Sequence, residues 1–402
     1  MKLKYIAVIL GTMVSSCKMF TFLKESRKET LIYNYERCIP NINDNYIFLE
    51  THFEDNQIRN FILDLGSPIN VVFDDSSFKN SSLNQKKISL DNTKSADGLK
   101  MKREYLRWGK ISTCLFSIDN SYMSSLTRND MYSCNRINGI WGAEVFSPYL
   151  KGKRNKILLI NMQDTTLTIL DTLPEISSWI KLDAKFTALS QIKVKVQIND
   201  ILEELFFDTG FSGDIMLTTE KYKKIDHTAT NNRNERIIYG QISSSLSGTK
   251  HDTAYSKYCS LKLNQNLVHD SISLFTTRSV IVSALGMGVI KRYNVLVDYQ
   301  HQKLYLQPNL SYTPSPPSFF HSKGFRAKLI NESKIEIINI TSDSKAELAG
   351  LHVGDEIISI NEISSQQDDK CRVVEMFDAI DSTKNTNKMI IKRQGKIMEI
   401  II

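Results

Sequence analysis

The sequence predicts a mainly β protein, with two β-barrel lobes forming one unit and a small α+β domain following them. Three observations carry this expectation. Residues 45–310 hold short alternating or apolar runs punctuated by turn residues, with little sustained helical periodicity. Within that stretch a hairpin pattern ending in Asp-x-Gly occurs twice. A Pro/Ser-rich patch, Thr313-Pro314-Ser315-Pro316-Pro317-Ser318, then holds three of the chain's eight prolines, and its composition is that of a stiff, extended linker ahead of one more domain-sized segment. A chain of 402 residues has room for these parts. The expected boundaries are residues 1–17 for a signal peptide, 40–178 and 179–310 for the two lobes, 311–320 for the linker and 321–402 for the C-terminal domain.

The repeat sets the architecture. Its first copy runs Tyr46-Ile47-Phe48-Leu49, a turn at Glu54-Asp55-Asn56, then Phe61-Ile62-Leu63-Asp64-Leu65-Gly66-Ser67. The second runs Ile192-Lys193-Val194-Lys195-Val196, a turn at Asn199-Asp200, then Leu205-Phe206-Phe207-Asp208-Thr209-Gly210. Each is followed by an apolar run, and later by an apolar-apolar-Gly element, Ile140-Trp141-Gly142 and Ala284-Leu285-Gly286. The step from Asp to that glycine is 78 residues in both copies (142 minus 64, and 286 minus 208). A hairpin-like pair is expected to close each lobe, 157–160 with 167–170 and 294–297 with 303–306.

The N-terminus carries a targeting signal. Lys2 and Lys4 precede an apolar run from Tyr5 to Val14 that is too short to span a bilayer. It ends in Val14-Ser15-Ser16-Cys17, which resembles a bacterial lipobox. The resemblance implies lipidation of Cys17, a membrane anchor made of acyl chains, and a place in the bacterial cell envelope, periplasmic or at the outer membrane. Of the other cysteines, Cys114 and Cys134 are available to pair within one lobe, while free buried thiols are expected of Cys38, Cys259 and Cys371. No C-x-x-C spacing occurs, which argues against zinc and dithiol chemistry. The net charge of +7 is scattered among acidic residues, so no nucleic-acid partner is expected.

The apolar-apolar-Asp-Thr-Gly pattern, with a later apolar-apolar-Gly, resembles the aspartic proteases of the pepsin and retropepsin type over residues 45–310. The resemblance implies an acid-protease-like barrel unit, a polypeptide substrate, and Asp64 and Asp208 as a catalytic pair working without metal or organic cofactor. Two carboxylates held face to face share one proton, because both cannot cheaply ionise; the charged member then activates water and the neutral one donates to the scissile carbonyl. Gly66 and Gly210 let the backbone turn tightly beside the carboxylates. By resemblance, Thr209 locks across to the partner loop, and Ser67 hydrogen-bonds the Asp64 carboxylate. Two positions depart from the pattern. Leu65 stands where the family has threonine, so half of the reciprocal lock lacks a hydroxyl, and Phe211 stands where a hydroxyl would support Asp208, with Ser212 and Thr218 nearby as substitutes.

Competing motifs are missing: Gly210-Phe211-Ser212-Gly213 is followed by Asp214, not the glycine of a nucleophile elbow, and no His-Glu-x-x-His occurs. The segment Ala346-Glu347-Leu348-Ala349-Gly350-Leu351-His352-Val353-Gly354-Asp355-Glu356-Ile357-Ile358 resembles a PDZ domain of the bacterial envelope-protease kind. That resemblance implies capture of peptide termini by strand addition, with Lys323-Gly324-Phe325-Arg326 as the carboxylate loop and a groove helix near 373–380. Two other functions fit the same residues: a catalytically weak or inactive scaffold whose decayed site is recorded at Leu65, and a dimer working through Asp208 alone.

Overall fold

A computed structural model describes residues 28–43, 45–74, 88–94, 100–127, 137–146, 156–226, 235–245, 248–313, 324–330, 334–367, 369–379 and 386–402. Cys17, Cys134 and most of the Pro/Ser linker lie outside the described residues. Of the described residues, 57% lie in strands and 8% in helices, so the mainly β expectation holds.

The first lobe contains β1 (Thr30–Tyr33), β2 (Asn41–Asn43), β3 (Tyr46–Phe53), β4 (Ile58–Asp64), β5 (Val71–Asp74), β6 (Ile88–Lys94), β7 (Lys100–Ser112), β8 (Phe116–Thr127) and β9 (Ile137–Gly142). It begins earlier than residue 40, because β1 pairs antiparallel with β8. Six of these strands close a ring in the order β3-β4-β9-β5-β8-β7, shut by the pairing of β7 back onto β3 at Phe53 and Ile111.

The shared sheet uses β10 (Ile157–Asn161), β11 (Thr166–Leu170) and β12 (Ile180–Lys181); β13 (Ala184–Phe186) then leads into the second lobe. That lobe contains β14 (Ile192–Ile198), β15 (Ile201–Phe207), β16 (Ile215–Met216), helix α1 (Thr219–Asp226), β17 (Arg236–Ser245), β18 (Gly248–Asn264), β19 (Leu267–Thr277), β20 (Ala284–Leu285) and helix α2 (Met287–Ile290). Its ring runs β14-β15-β20-β16-β19-β18 and is shut by β18 on β14. Parallel and antiparallel pairs fall at the same places in both rings. β4–β9 and β15–β20 are parallel, as are β5–β8 and β16–β19, while β5–β9 and β16–β20 are antiparallel. The sequence repeat is therefore a repeat of topology.

The alternation of strands explains why the rings form. In β14, Ile192, Val194, Val196 and Ile198 alternate with polar residues and are buried, so one face points into the barrel. Strand β9 shows a different pattern, with Ile140 and Trp141 both buried, as suits a strand covered on both faces.

The hairpins β10–β11 and β21 (Tyr293–Asp298)–β22 (Lys303–Pro308) form as expected but do not close their lobes. They meet edge to edge, β10 on β21, and build one five-stranded sheet in the order β11-β10-β21-β22-β12. One continuous apolar core then runs from Trp108 and Trp141 in the first lobe through Leu158 and Val295 to Val194 and Leu217 in the second.

The C-terminal domain comprises β23 (Phe325–Ile330), β24 (Lys334–Thr341), helix α3 (Lys345–Leu348), β25 (Glu356–Ile360), β26 (Ile363–Ser364), helix α4 (Lys370–Ala379), β27 (Lys388–Arg393) and β28 (Lys396–Ile401), around a separate core including Ile335, Ile357, Phe377 and Ile391. Ser344 caps α3 by accepting the Glu347 N–H at 3.2 Å, and Gly350 turns the chain out of it at φ +83°. Arg393 then clamps the following turn, forking onto both oxygens of buried Asp355 at 2.6 and 2.7 Å. This domain is joined to the second lobe by strand pairing: β24 lies antiparallel on β17, with Ile238, Tyr239 and Gly240 opposite Thr341, Ile340 and Asn339.

The cysteines pair differently from expectation. Cys38 and Cys114 form a disulfide, Cα atoms 5.3 Å apart, while Cys259 is a buried free thiol and Cys371 is partly buried. The cause is the β1–β8 pairing, which lays Asn34 against the loop before β8, its N–H donating to Leu115 O at 2.8 Å and its side chain to Cys114 O at 3.0 Å.

Candidate active site

Asp64 ends β4 and Asp208 directly follows β15, so each barrel delivers one aspartate at the same point of its ring. The chain turns at once in both places. Ser67 N–H donates to Asp64 O at 3.2 Å, and Phe211 N–H to Asp208 O at 3.4 Å. The loop that follows is held by the closing element of its own barrel: Ala143 N–H donates to Ser67 O at 2.8 Å, and Met287 N–H to Phe211 O at 2.7 Å.

The two carboxyl groups are hydrogen-bonded to each other across the lobe interface. The loop glycines make this approach possible. A Cβ on Gly66 would lie 2.4 Å from the Asp208 carboxyl carbon, and one on Gly210 would lie 2.3 Å from that of Asp64. Each lobe thus presents a bare α-carbon to the other lobe's carboxylate, and any side chain there would drive the pair apart.

Backbone donors surround the dyad. Asp64 accepts the Ser67 N–H at 2.8 Å, and Asp208 the Gly210 N–H at 2.8 Å. Burial raises both carboxyls above the ordinary aspartate range, and these N–H groups only partly offset it. Asp208 is raised well above that range, because the charge of Asp64 opposes its ionisation in addition to burial.

Thr209 is fully buried and reaches into the other lobe. Its Oγ1 donates to Leu63 O at 2.7 Å and accepts the Leu65 N–H at 2.9 Å. Leu65, 144 positions earlier at the equivalent site, has no hydroxyl and packs into the common core instead.

Ser67 corrects an expectation. Its N–H supports the Asp64 carboxylate, but its hydroxyl donates to Ile69 O at 2.9 Å, turning the loop rather than bonding the carboxylate. Ser212 enters through its carbonyl, which accepts from Asn45 Nδ2 at 2.9 Å, and Thr218 through its N–H, which donates to Ser283 Oγ at 3.1 Å. Asp208 is supported by backbone N–H groups of Gly210 and Phe211.

Four supporting residues escape a reading of the sequence. Asn70 and Asp214 both lie six positions beyond their aspartates and tie the loops down: Gly142 N–H donates to Asn70 Oδ1 at 2.9 Å, while Gly286 N–H donates to Asp214 O at 2.8 Å. The Asp214 carboxylate accepts the Ser273 N–H at 2.9 Å, and its burial raises its pKa. The other two, Asn45 and Gln191, cross between the lobes, Gln191 Nε2 donating to Gly66 O at 2.6 Å. The shared six-residue spacing of Asn70 and Asp214 was available in the sequence as a signal; Asn45 and Gln191 left none.

In the C-terminal domain Gly324 opens β23 at φ +80°, where a Cβ would lie 2.2 Å from Ser344 Cβ, so the chain enters the strand against the cap of α3. Phe325 is buried in that domain's core and Arg326 is exposed on the strand. Helix α4 packs beside β23. These residues lie in a separate domain from the dyad. No protein-family model matches the chain, and no curated protein matches it either.

Proposed function

We propose that the chain is an aspartic endopeptidase of the pepsin and retropepsin type, with a PDZ-like domain that binds peptide termini. The observation that carries this reading is the mutual hydrogen bond between Asp64 and Asp208, each delivered by an equivalent barrel and faced by the other's loop glycine.

The chemistry follows from the sharing of one proton by the pair. One member keeps it and the other carries the charge. A water lying against both carboxyls loses a proton to the charged member as its oxygen attacks the scissile carbonyl carbon. The neutral member gives its proton to the carbonyl oxygen, which leaves a neutral tetrahedral diol. Collapse of the diol returns a proton to the member that gave one up, and the other protonates the departing amine nitrogen as the C–N bond breaks. Burial of the pair strengthens each of these electrostatic steps.

For the C-terminal domain the supporting features are the Gly324 turn, strand β23 and the neighbouring α4, the parts that strand addition of a peptide requires. Lipidation at Cys17 would hold the enzyme in the bacterial envelope, and the Cys38–Cys114 disulfide suits an oxidising compartment.

The test is cleavage of extended peptides by the purified chain between acid and neutral pH, unaffected by chelators and blocked by a statine-type inhibitor. Asp64→Asn and Asp208→Asn should each abolish it; cleavage retained in Asp208→Asn sinks the proposal. Peptide binding with no cleavage at any pH would favour the scaffold reading, for which the missing hydroxyl at Leu65 speaks.

A further inference from the structure

The lobes are tied together at the dyad by more than Thr209. Asn45 lies immediately before β3, the first hairpin strand of its lobe, and its Nδ2 donates across the interface to Ser212 O at 2.9 Å. Gln191 lies immediately before β14, the matching strand of the second lobe, and its Nε2 donates in the opposite direction to Gly66 O at 2.6 Å. Both acceptors belong to the loops that carry the aspartates, and both amides are half-buried. Each is also fixed at its own end. Asn45 holds φ +61°, and its Oδ1 accepts from Lys291 Nζ at 2.9 Å. The backbone of Gln191 closes a turn by accepting the Thr187 N–H at 2.8 Å.

These bonds matter because the hydroxyl lock is one-sided. Thr209 ties the second lobe to the backbone on either side of Asp64, and Leu65 cannot return the tie. Asn45 is the group from the first lobe that grips the backbone beyond Asp208. We propose that Asn45 and Gln191 are positioning residues of the dyad, a reciprocal pair of cross-lobe amide ties in which Asn45 takes over the function of the hydroxyl that Leu65 lacks. The proposal rests on reading Asp64 and Asp208 as a hydrolytic pair.

The experiment is a cycle of Asn45→Gly, which accepts the same positive φ, Gln191→Met, which keeps the side-chain length, and Leu65→Thr, which restores the missing hydroxyl. Each is read on the full chain with and without the others. Asn45→Gly should lower kcat/KM by roughly ten- to a hundredfold, since sub-ångström misplacement of reacting groups has effects of that order. Leu65→Thr should recover a large part of the loss in the Asn45→Gly background, and its gain there should exceed any effect it has in the parent. Equal effects of Leu65→Thr in both backgrounds, or unchanged kcat/KM in both amide variants, would overturn the proposal.

The same cycle is read independently of turnover by carboxyl ¹³C titration of the two aspartates. The separation between the pair's two titration steps should narrow in Asn45→Gly and Gln191→Met and widen again when Leu65→Thr is added to Asn45→Gly. A separation that neither amide variant alters overturns the proposal whether or not the chain cleaves anything. A parent chain that cleaves nothing, yet shows the narrowing and its recovery, defeats the peptidase reading and leaves the amide ties standing.

Discussion

Gly240 of the second lobe sits directly against Ile338 of the C-terminal domain: a Cβ on Gly240 would lie 2.3 Å from the Ile338 carbonyl oxygen. It is at φ +115°, a conformation that disfavours any side chain, at one end of the β17–β24 pairing. Gly240→Ala should break that pairing at a cost of roughly 1–3 kcal/mol. The expected outcome is loss of hydrogen-exchange protection at Ser342, whose N–H donates to Ile237 O, and a separate, earlier melting of the C-terminal domain by calorimetry. A single unchanged transition would show that the two parts do not depend on this strand.

Thr209→Val keeps the shape of the side chain and removes both of its cross-lobe bonds. It leaves the Leu63 carbonyl and the Leu65 N–H buried without that partner, which should cost about 2–4 kcal/mol of stability in denaturant titration. Cleavage should fall further than stability alone explains, because the backbone on either side of Asp64 loses its anchor. Leu65→Val, which disturbs only packing, should cost about 1 kcal/mol and serves as the control.

The raised carboxyls make a prediction about pH with a definite sign. A folded-state pKa above the unfolded value means that the native protein holds its proton after the unfolded chain has lost it. Stability therefore falls as pH rises from the unfolded aspartate value of 3.8 through the folded one, and the penalty is full above both. Asp208→Asn removes the penalty. It should raise Tm at pH 7 and leave it nearly unchanged at pH 3, while abolishing cleavage. Activity in the parent should be bell-shaped, with both limbs above the ordinary aspartate pKa because burial raises both members.

The Cys38–Cys114 bridge spans 76 positions, and a loop of that size carries a stabilisation of about 4 kcal/mol in the chain-entropy account. Reduction, or Cys114→Ser, should lower the Tm of the lobes clearly, measured with and without reductant. Cys371, in the C-terminal domain, forms no disulfide, and Cys371→Ser should leave the response to reductant as it was.

The parts legible in the sequence were those written as local pattern. Asp64 and Asp208 stood out because each ends an alternating strand and is followed by glycine at the same spacing, and the barrels inherit that regularity. Left-handed backbone narrows the choice of residue in the C-terminal domain too, where Gly350 and Gly395 take positive φ. Pairings set by tertiary approach left no such mark. Hairpins 157–170 and 294–306 were visible, but their meeting between the lobes follows from matching edges, not from any residue type. Cys38 found Cys114 because β1 folds back on β8, and nothing near either cysteine announces that. Ser67 meets the Asp64 carboxylate through its N–H and not its hydroxyl, because spacing identifies a neighbour without saying which of its atoms turns inward.

The sheet that stitches β10 to β21 has a consequence for heredity. Where two identical subunits build a site, every codon change is expressed on both sides, and a lost hydroxyl is lost twice. Two halves carried on one polypeptide escape that constraint, so Leu65 stands opposite an intact Thr209 in the same molecule. Each half is then free to drift along its own course. The second pairs with a neighbouring domain along its β17 edge, while the first carries a disulfide between Cys38 and Cys114.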